Sequence, residues 1–283
     1  MNKEELIKKE DQLAHNTGPD RIVPSTELIK ELENQPENPV RAKTGFKYLD
    51  SLITPIKGGE LITITGLQKR GKTLWIKSLL QNFGKDGVKA VVFQYESPYR
   101  EYFKNWGENP PLFYLPLQLR DKTSKWIKDR ILEAILRYEI SVVVIDPIND
   151  LICYELANSS TTQINYLVRF LKDICLEYNI TIFVLAHAHR IERGGRLDEN
   201  MVRESQILAS TSDRLWIVDR VVDKQTKEFT ADTQLIISLE RESGFAMGKK
   251  VMFTYKDGLL CEKDLLGEPE TQPQEDTQDE LPF

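Results

Sequence analysis

Gly66-Leu67-Gln68-Lys69-Arg70-Gly71-Lys72-Thr73 satisfies GxxxxGK[ST] at every fixed position, and the apolar run Leu61-Ile62-Thr63-Ile64-Thr65 leads into it. A phosphate-binding loop has to leave a buried strand and open a helix, and the amphipathic stretch Leu74 to Phe83 supplies that helix. The glycines let the backbone wrap closely around phosphate oxygens, while loop and helix N–H groups supply positive potential. Lys72 is expected to reach the β- and γ-phosphates and Thr73 to ligate Mg²⁺. Gly66, Arg70, Gly71, Lys72 and Thr73 thus form the expected nucleotide-binding set, with ATP and Mg²⁺ as cofactors.

Strand and helix signals alternate around this loop. Apolar runs at 61–65, 90–95, 141–145 and 181–185 are interleaved with helical periodicity at 126–138 and 162–178. Continuous apolar strands separated by helices imply an α/β fold, a mostly parallel sheet with helices on both faces. After the run 215–218, segments 233–239 and 250–255 are separated by turn-rich stretches and read as added antiparallel strands. Residues 1–43 read as an N-terminal arm or linker, with Pro24-Ser25-Thr26 as a helix start and apolar Leu28, Ile29 and Leu32 at helical spacing after it. Residues 44–266 form the expected ATPase domain. Residues 267–283 hold Pro, Gln and six acidic residues with no Lys or Arg, and are expected to be a disordered acidic tail.

The net charge of −6 comes from that tail, and the rest of the chain balances 38 basic against 38 acidic residues. Such a neutral body excludes a broad basic face, so any single-stranded DNA binding must be local. No apolar stretch approaches a membrane span and the first residues lack a signal peptide's apolar segment, so the chain is expected to be cytoplasmic and without a membrane partner. Cys153, Cys175 and Cys261 lack paired metal-ligand spacing and are expected to be buried free thiols.

Val142-Val143-Val144-Ile145-Asp146 is an apolar strand ending in a carboxylate, the form that places a Mg²⁺ ligand beside the loop threonine; the other use of such an Asp is as a helix cap. Glu96 follows the strand 90–95, and if that strand neighbours the loop strand, Glu96 lies at the ligand-binding edge and can activate water; otherwise it is a solvated strand end. His187, just beyond strand 181–185, can hydrogen-bond a γ-phosphate. The charged, Gly-containing segment 190–204 carries Arg190, Arg193 and Arg196, either a solvated loop or the contact with polymeric DNA.

These motifs, with Thr44-Gly45-Phe46, Leu49-Asp50 and Gly58-Gly59-Glu60-Leu61 ahead of the loop, resemble the ATPase domain of the DnaB-type, RecA-like hexameric helicases, in particular the phage primase-helicase and Twinkle branch. The resemblance spans about three quarters of the chain. It implies a RecA-like P-loop NTPase fold, with Glu96 as the catalytic glutamate, Asp146 as the Walker B aspartate and His187 as the γ-phosphate sensor. It further implies that Arg241 is an arginine finger donated to a neighbouring subunit, and that Arg220 and Tyr255 flank the nucleotide base. Leu239 departs from the pattern, standing where these helicases carry a lysine; neither a primase nor the bacterial members' N-terminal helical domain is expected ahead of the core, so residues 1–40 are expected to be what grips a neighbour.

The function this implies is an ATP-driven DNA helicase translocating on single-stranded DNA as a homo-oligomer, a hexamer in that family, of phage or plasmid type. Two other readings stay open: a RecA/RadA-like recombination mediator, or a regulatory oligomer that uses nucleotide only to assemble. The terminal Gln278-Asp279-Glu280-Leu281-Pro282-Phe283 is similar both to sliding-clamp peptides, through Gln278, Leu281 and Phe283, and to the acidic tip of single-strand-binding proteins. The alternative is a solubilising tail.

Overall fold

The computed structural model describes residues 3–18, 21–33, 41–104, 106, 110–119, 121–151, 160–187, 208–223, 225–242 and 244–263. The chain divides into two compact units, Met1–Pro39 and Val40–Phe283. The first holds helices α1 (Lys3–Ala14) and α2 (Ser25–Glu33). Helix α2 starts at the Ser25 expected from the sequence, and Arg21 ahead of it pairs with Glu27 and Glu31 at 3.3 and 3.0 Å.

The second unit opens with β1 (Arg41–Ala42), α3 (Lys47–Leu52) and β2 (Ile56–Lys57), the two short strands pairing antiparallel. There follow β3 (Leu61–Gly66), α4 (Lys72–Lys85), β4 (Ala90–Gln94), α5 (Tyr99–Phe103), α6 (Ser124–Tyr138), β5 (Val142–Asp146), α7 (Ser160–Tyr178) and β6 (Thr181–His187). The unit closes with β7 (Arg214–Val222), β8 (Phe229–Glu240), β9 (Lys250–Lys256) and β10 (Leu259–Glu262). Eight strands form one sheet in the order β10-β9-β8-β7-β3-β6-β5-β4. The five strands from β7 to β4 run parallel, and β8, β9 and β10 extend the sheet antiparallel.

Side chains on a strand point alternately to opposite faces, so each run of consecutive apolar residues serves two cores. On one face Ile62, Ile64, Val92, Val144, Phe183 and Leu185 pack with Trp75, Ile76, Leu79 and Phe83 of α4. On the other, Val91, Phe93, Val143, Ile145, Ile182 and Val184 meet Ile127 and Ile131 of α6 and Leu167, Leu171 and Ile174 of α7. Each such side chain contributes about 1.5–3 kcal/mol through burial. The Thr123 hydroxyl starts α6 by accepting the Trp126 N–H at 3.3 Å.

The sequence underestimates the antiparallel part. Strand β8 begins at Phe229, not Thr233, because pairing with β7 holds its polar first residues in the ladder. Strand β10 also decides the cysteines: Cys175 is buried as expected, whereas Cys261 is exposed, since alternation along β10 turns Leu260 inward and Cys261 outward. Cys153 lies outside the described residues.

At the edge where β3 begins, Arg214 of β7 is a fully buried cation. It donates to Thr54 O (2.8 Å), Pro55 O (3.1 Å) and Glu60 Oε1 (2.9 Å), and pairs with the buried Glu240 of β8 at 3.1 Å. Burial pushes the Glu240 carboxyl up to about 7 despite the pull of Arg214. Removing one partner strands the other charge, whereas replacing both with apolar groups avoids that cost. Arg214→Met should therefore destabilise the protein by about 3–5 kcal/mol, and Arg214→Met/Glu240→Leu should recover part of the loss in chemical denaturation, with Glu60 still lacking its partner.

Candidate active site

Strand β3 runs out at Gly66, where φ is +149° and a Cβ would lie 2.2 Å from Val218 O of β7; only glycine fits. The chain then turns back through Lys69 (φ 60°) and Gly71 (φ 97°) into α4. Helix α4 begins on Gly71 with no side-chain cap, which leaves its first N–H groups to an anion. Lys72, the first residue of α4, is buried and folds back onto the loop, donating to Gly66 O at 2.8 Å and Leu67 O at 2.9 Å. Burial holds its pKa below the ordinary lysine value, against the opposing pull of Asp146 and Glu96.

Thr73 Oγ1 donates to Asp146 Oδ2 at 2.8 Å, joining the loop helix to the end of β5. Asp146 is only 2% exposed, and its other oxygen, Oδ1, is buried without a hydrogen-bond partner. Burial pushes this carboxyl up to about 7, Thr73 and then Lys72 and Lys77 pull it down, and Glu96 adds to the rise. A buried carboxylate with a spare oxygen beside a hydroxyl is a donor set that suits Mg²⁺, which takes one or two protein oxygens and completes its shell with water and phosphate. The residues fit the ion.

His187 ends β6 in register with Gly66, and its N–H donates to Asn149 Oδ1 at 3.1 Å. Glu96 reaches the same edge by a different route from the one expected. Strand β4 is not a neighbour of β3, from which β6 and β5 separate it. Glu96 is instead placed through the adjacent strand, because Tyr95 N donates to Asp146 O at 2.8 Å. It is exposed, close enough for its charge to act on both Lys72 and Asp146. Lys72, Thr73, Glu96, Asp146 and His187 thus meet at the carboxyl end of the parallel strands, where open α/β sheets bind ligands.

Arg70 is engaged within the chain: it pairs with Asp219 at 3.3 Å and lies 4.1 Å above the Phe229 ring. Arg220 approaches the same ring at 5.2 Å and donates to Thr230 O at 2.7 Å. Arg220 and the half-exposed Tyr255 lie on the α4 side of the sheet, in line with Thr233, which flanks Gly71. Phe229 and Asp219 were not legible as site residues, since their contacts with Arg70 depend on pairing between β7 and β8. Arg241 is at the other end of the sheet. It follows Glu240, the partner of Arg214, and Arg214 lies beside Ile62, four residues or about 13 Å of strand before Gly66. Its N–H donates to Asp213 O and its guanidinium to Ser210 O at 2.5 Å. Arg241 therefore cannot join Lys72 within one chain. Arg190, Arg193 and Arg196, and Gln278, Leu281 and Phe283, lie outside the described residues.

No family model matches the chain. Its sequence is similar to the Twinkle homolog protein, chloroplastic/mitochondrial, of Arabidopsis thaliana, with 24% identity over 183 residues covering 53% of this chain. The chain spans only 26% of that relative. Among solved structures, a DnaB-like replicative helicase described with its interactions with primase superposes with a TM-score of 0.68 at 16% identity, over 92% of this chain and 71% of that one. A separately solved ATPase domain superposes at 0.67, also at 16% identity, over 84% of this chain and 96% of its own. The fold is that of the DnaB-like, RecA-type ATPase domains. No helix among the described residues is long and apolar enough to cross a membrane.

The raised Asp146 carboxyl has a measurable consequence. The folded group keeps its proton up to about pH 7 while the unfolded one releases it near 3.8, so stability is highest below 3.8 and is lost as pH rises through 7. Asp146→Asn should remove this loss. Without ligand, the variant should gain roughly 2–3 kcal/mol over wild type between pH 5 and pH 8, read by denaturant titration, while Mg²⁺-dependent nucleotide binding disappears.

Proposed function

We propose that this chain is an ATP-dependent DNA helicase motor that moves on single-stranded DNA as a homo-oligomer, in the manner of the hexameric helicases. The observation that carries the reading is the pairing of Thr73 with the buried, half-satisfied Asp146 beside Lys72 and Glu96. Bound Mg²⁺ would neutralise phosphate charge as the terminal phosphoryl group transfers to water. Thr73 and Asp146 would hold that ion. Lys72 exchanges its bonds to Gly66 O and Leu67 O for phosphate oxygens, and Gly66, Arg70 and Gly71 shape the cradle. Glu96 orients the attacking water and accepts its proton. His187, level with Gly66, contacts the terminal phosphate and transmits its loss beyond the end of β6 to the segment carrying Arg190, Arg193 and Arg196, which contact DNA.

Arg220 and Tyr255 flank the base. Arg241 completes the site of a neighbouring subunit, which makes the oligomer part of the active site; its distance from Lys72 in one chain supports this. The tip Gln278, Leu281 and Phe283 docks in a replication partner, the sliding clamp being the first candidate.

Glu96→Gln should bind nucleotide as wild type does and lose on the order of 10²–10⁴ in hydrolysis rate, because only water activation is removed. Lys72→Ala should lose nucleotide binding as well. The decisive assay is ATP turnover with and without single-stranded DNA, together with unwinding of a forked duplex. DNA-stimulated turnover without unwinding would favour a strand-binding mediator, and DNA-independent turnover a regulatory oligomer.

A further inference from the structure

Helix α4 carries a polar stripe on a face that would otherwise be apolar. Thr73, Lys77 and Gln81 recur at intervals of four and therefore lie one above another. Each meets a different part of the site's surroundings. Thr73 holds Asp146. Lys77, only 7% exposed, donates its ammonium to Tyr102 O in α5. It also lies 4.4 Å above the Tyr102 ring and 5.2 Å above that of Trp106. Gln81 Oε1 accepts from Trp106 Nε1 at 3.2 Å. One turn further along, Gly84 lets the same segment approach closely, since a Cβ there would lie 2.5 Å from Pro111 Cβ.

The segment gripped by this stripe is the one that carries Glu96. Ahead of Glu96, Tyr95 N is fixed to Asp146 O. Behind it, Ser97 and Pro98 lead directly into α5, whose Glu101 and Tyr102 N–H groups bond Pro98 O at 2.9 Å. Helix α5 has five residues, too few to be stable alone, and its carbonyl end is where Lys77 attaches. The ring of Trp106 stacks on Phe113 at 4.9 Å and on Phe103 at 6.1 Å, so one of the two rings beside the amine is itself held by packing. A buried ammonium is costly unless its hydrogen bonds and ring faces replace water, so Lys77 fixes α5 in one place and not merely nearby.

We propose that Lys77 is a positioning residue for hydrolysis: by tying α5 to the phosphate-loop helix it sets the distance between Glu96 and the nucleotide. This rests on the reading of Glu96 as the water-orienting group. Lys77 touches no nucleotide itself. Its geometric route to the reaction runs through Glu96; its charge also acts on Asp146, so the test includes a variant that keeps that charge.

The test is a double-mutant cycle in the full chain, measuring kcat and KM for ATP and the affinity for a fluorescent ATP analogue. Lys77→Met, which keeps the bulk and removes the charge, should lower kcat on the order of 10- to 100-fold, since small misplacements near the chemistry have costs of that size, and leave analogue affinity unchanged. In a Glu96→Gln background the same substitution should produce no further loss, because the group it positions is already disabled. Trp106→Phe, which keeps the Lys77 charge and one aromatic ring but shortens that ring and removes the donor to Gln81, should give a smaller kcat loss of the same kind and keeps the test available if Lys77→Met folds poorly. Normal kcat in both variants, a parallel loss of analogue affinity, or losses that multiply in the Glu96→Gln background would each overturn the proposal. A Glu96→Gln protein that hydrolyses at the wild-type rate would remove the reading of Glu96 on which the proposal rests, whatever Lys77→Met does.

Discussion

Strand β3 is hydrogen-bonded on both sides, to β6 and to β7, and ends where Gly66 comes closer to Val218 O than any side chain allows. Both conditions are needed for the reactive edge. Pairing with β6 brings His187 level with Gly66, and pairing with β7 places Val218, Asp219 and Arg220 beside the loop. The loop's turn is then fixed by its glycines and by Arg70, held against Asp219 and Phe229. The phosphate cradle is thus a product of the sheet's centre, and its stability is inherited from two apolar cores that lie on either face.

The same sheet separates two polar clusters. At the carboxyl end, Asp146 sits buried with an unused oxygen, a cost in stability that the proposed Mg²⁺ site would account for. At the opposite end, Arg214, Glu60 and Glu240 form a buried ionic network, and Asp213 accepts from Leu61 N at 2.7 Å and from Lys172 at 2.6 Å. That network fixes the start of β7 and the end of β8, and with them the segment carrying Arg241. Antiparallel β8 takes the chain away from its own nucleotide loop, so a role for Arg241 in phosphate chemistry requires a second copy. An interface of this kind is heterologous, joining different surfaces, and closes into a ring if its rotation allows.

Much of this was legible in the sequence because the signals are local. The phosphate loop, the strand ending at Asp146 and the alternation of apolar strands with helices each depend on a few neighbouring residues. What was not legible depends on pairing between distant segments. Nothing local shows that β4 lies three strands from β3, so Glu96 was expected at the right edge on the wrong premise. The outward face of Cys261, the early start of β8 at Phe229 and the contacts of Arg70 all follow from antiparallel register. Lys77 was hidden for a related reason: a lysine between Ile76 and Ser78 reads as a solvated helix position until α5 is known to cover it.

On the proposed function, one nucleotide site is assembled from two copies of the chain, Lys72 from one and Arg241 from the next. Arg241→Ala and Lys72→Ala proteins, each inactive alone, should regain ATP hydrolysis when mixed, because some mixed interfaces combine an intact Lys72 with an intact Arg241. The recovered rate should follow the mixing ratio, passing through a maximum between the two pure proteins. A finger stabilising transition-state charge is worth about 10³–10⁵ in rate, so even a minority of intact interfaces is detectable. Mixtures shown by fluorescence to co-assemble, yet no more active than either variant alone, would contradict the account.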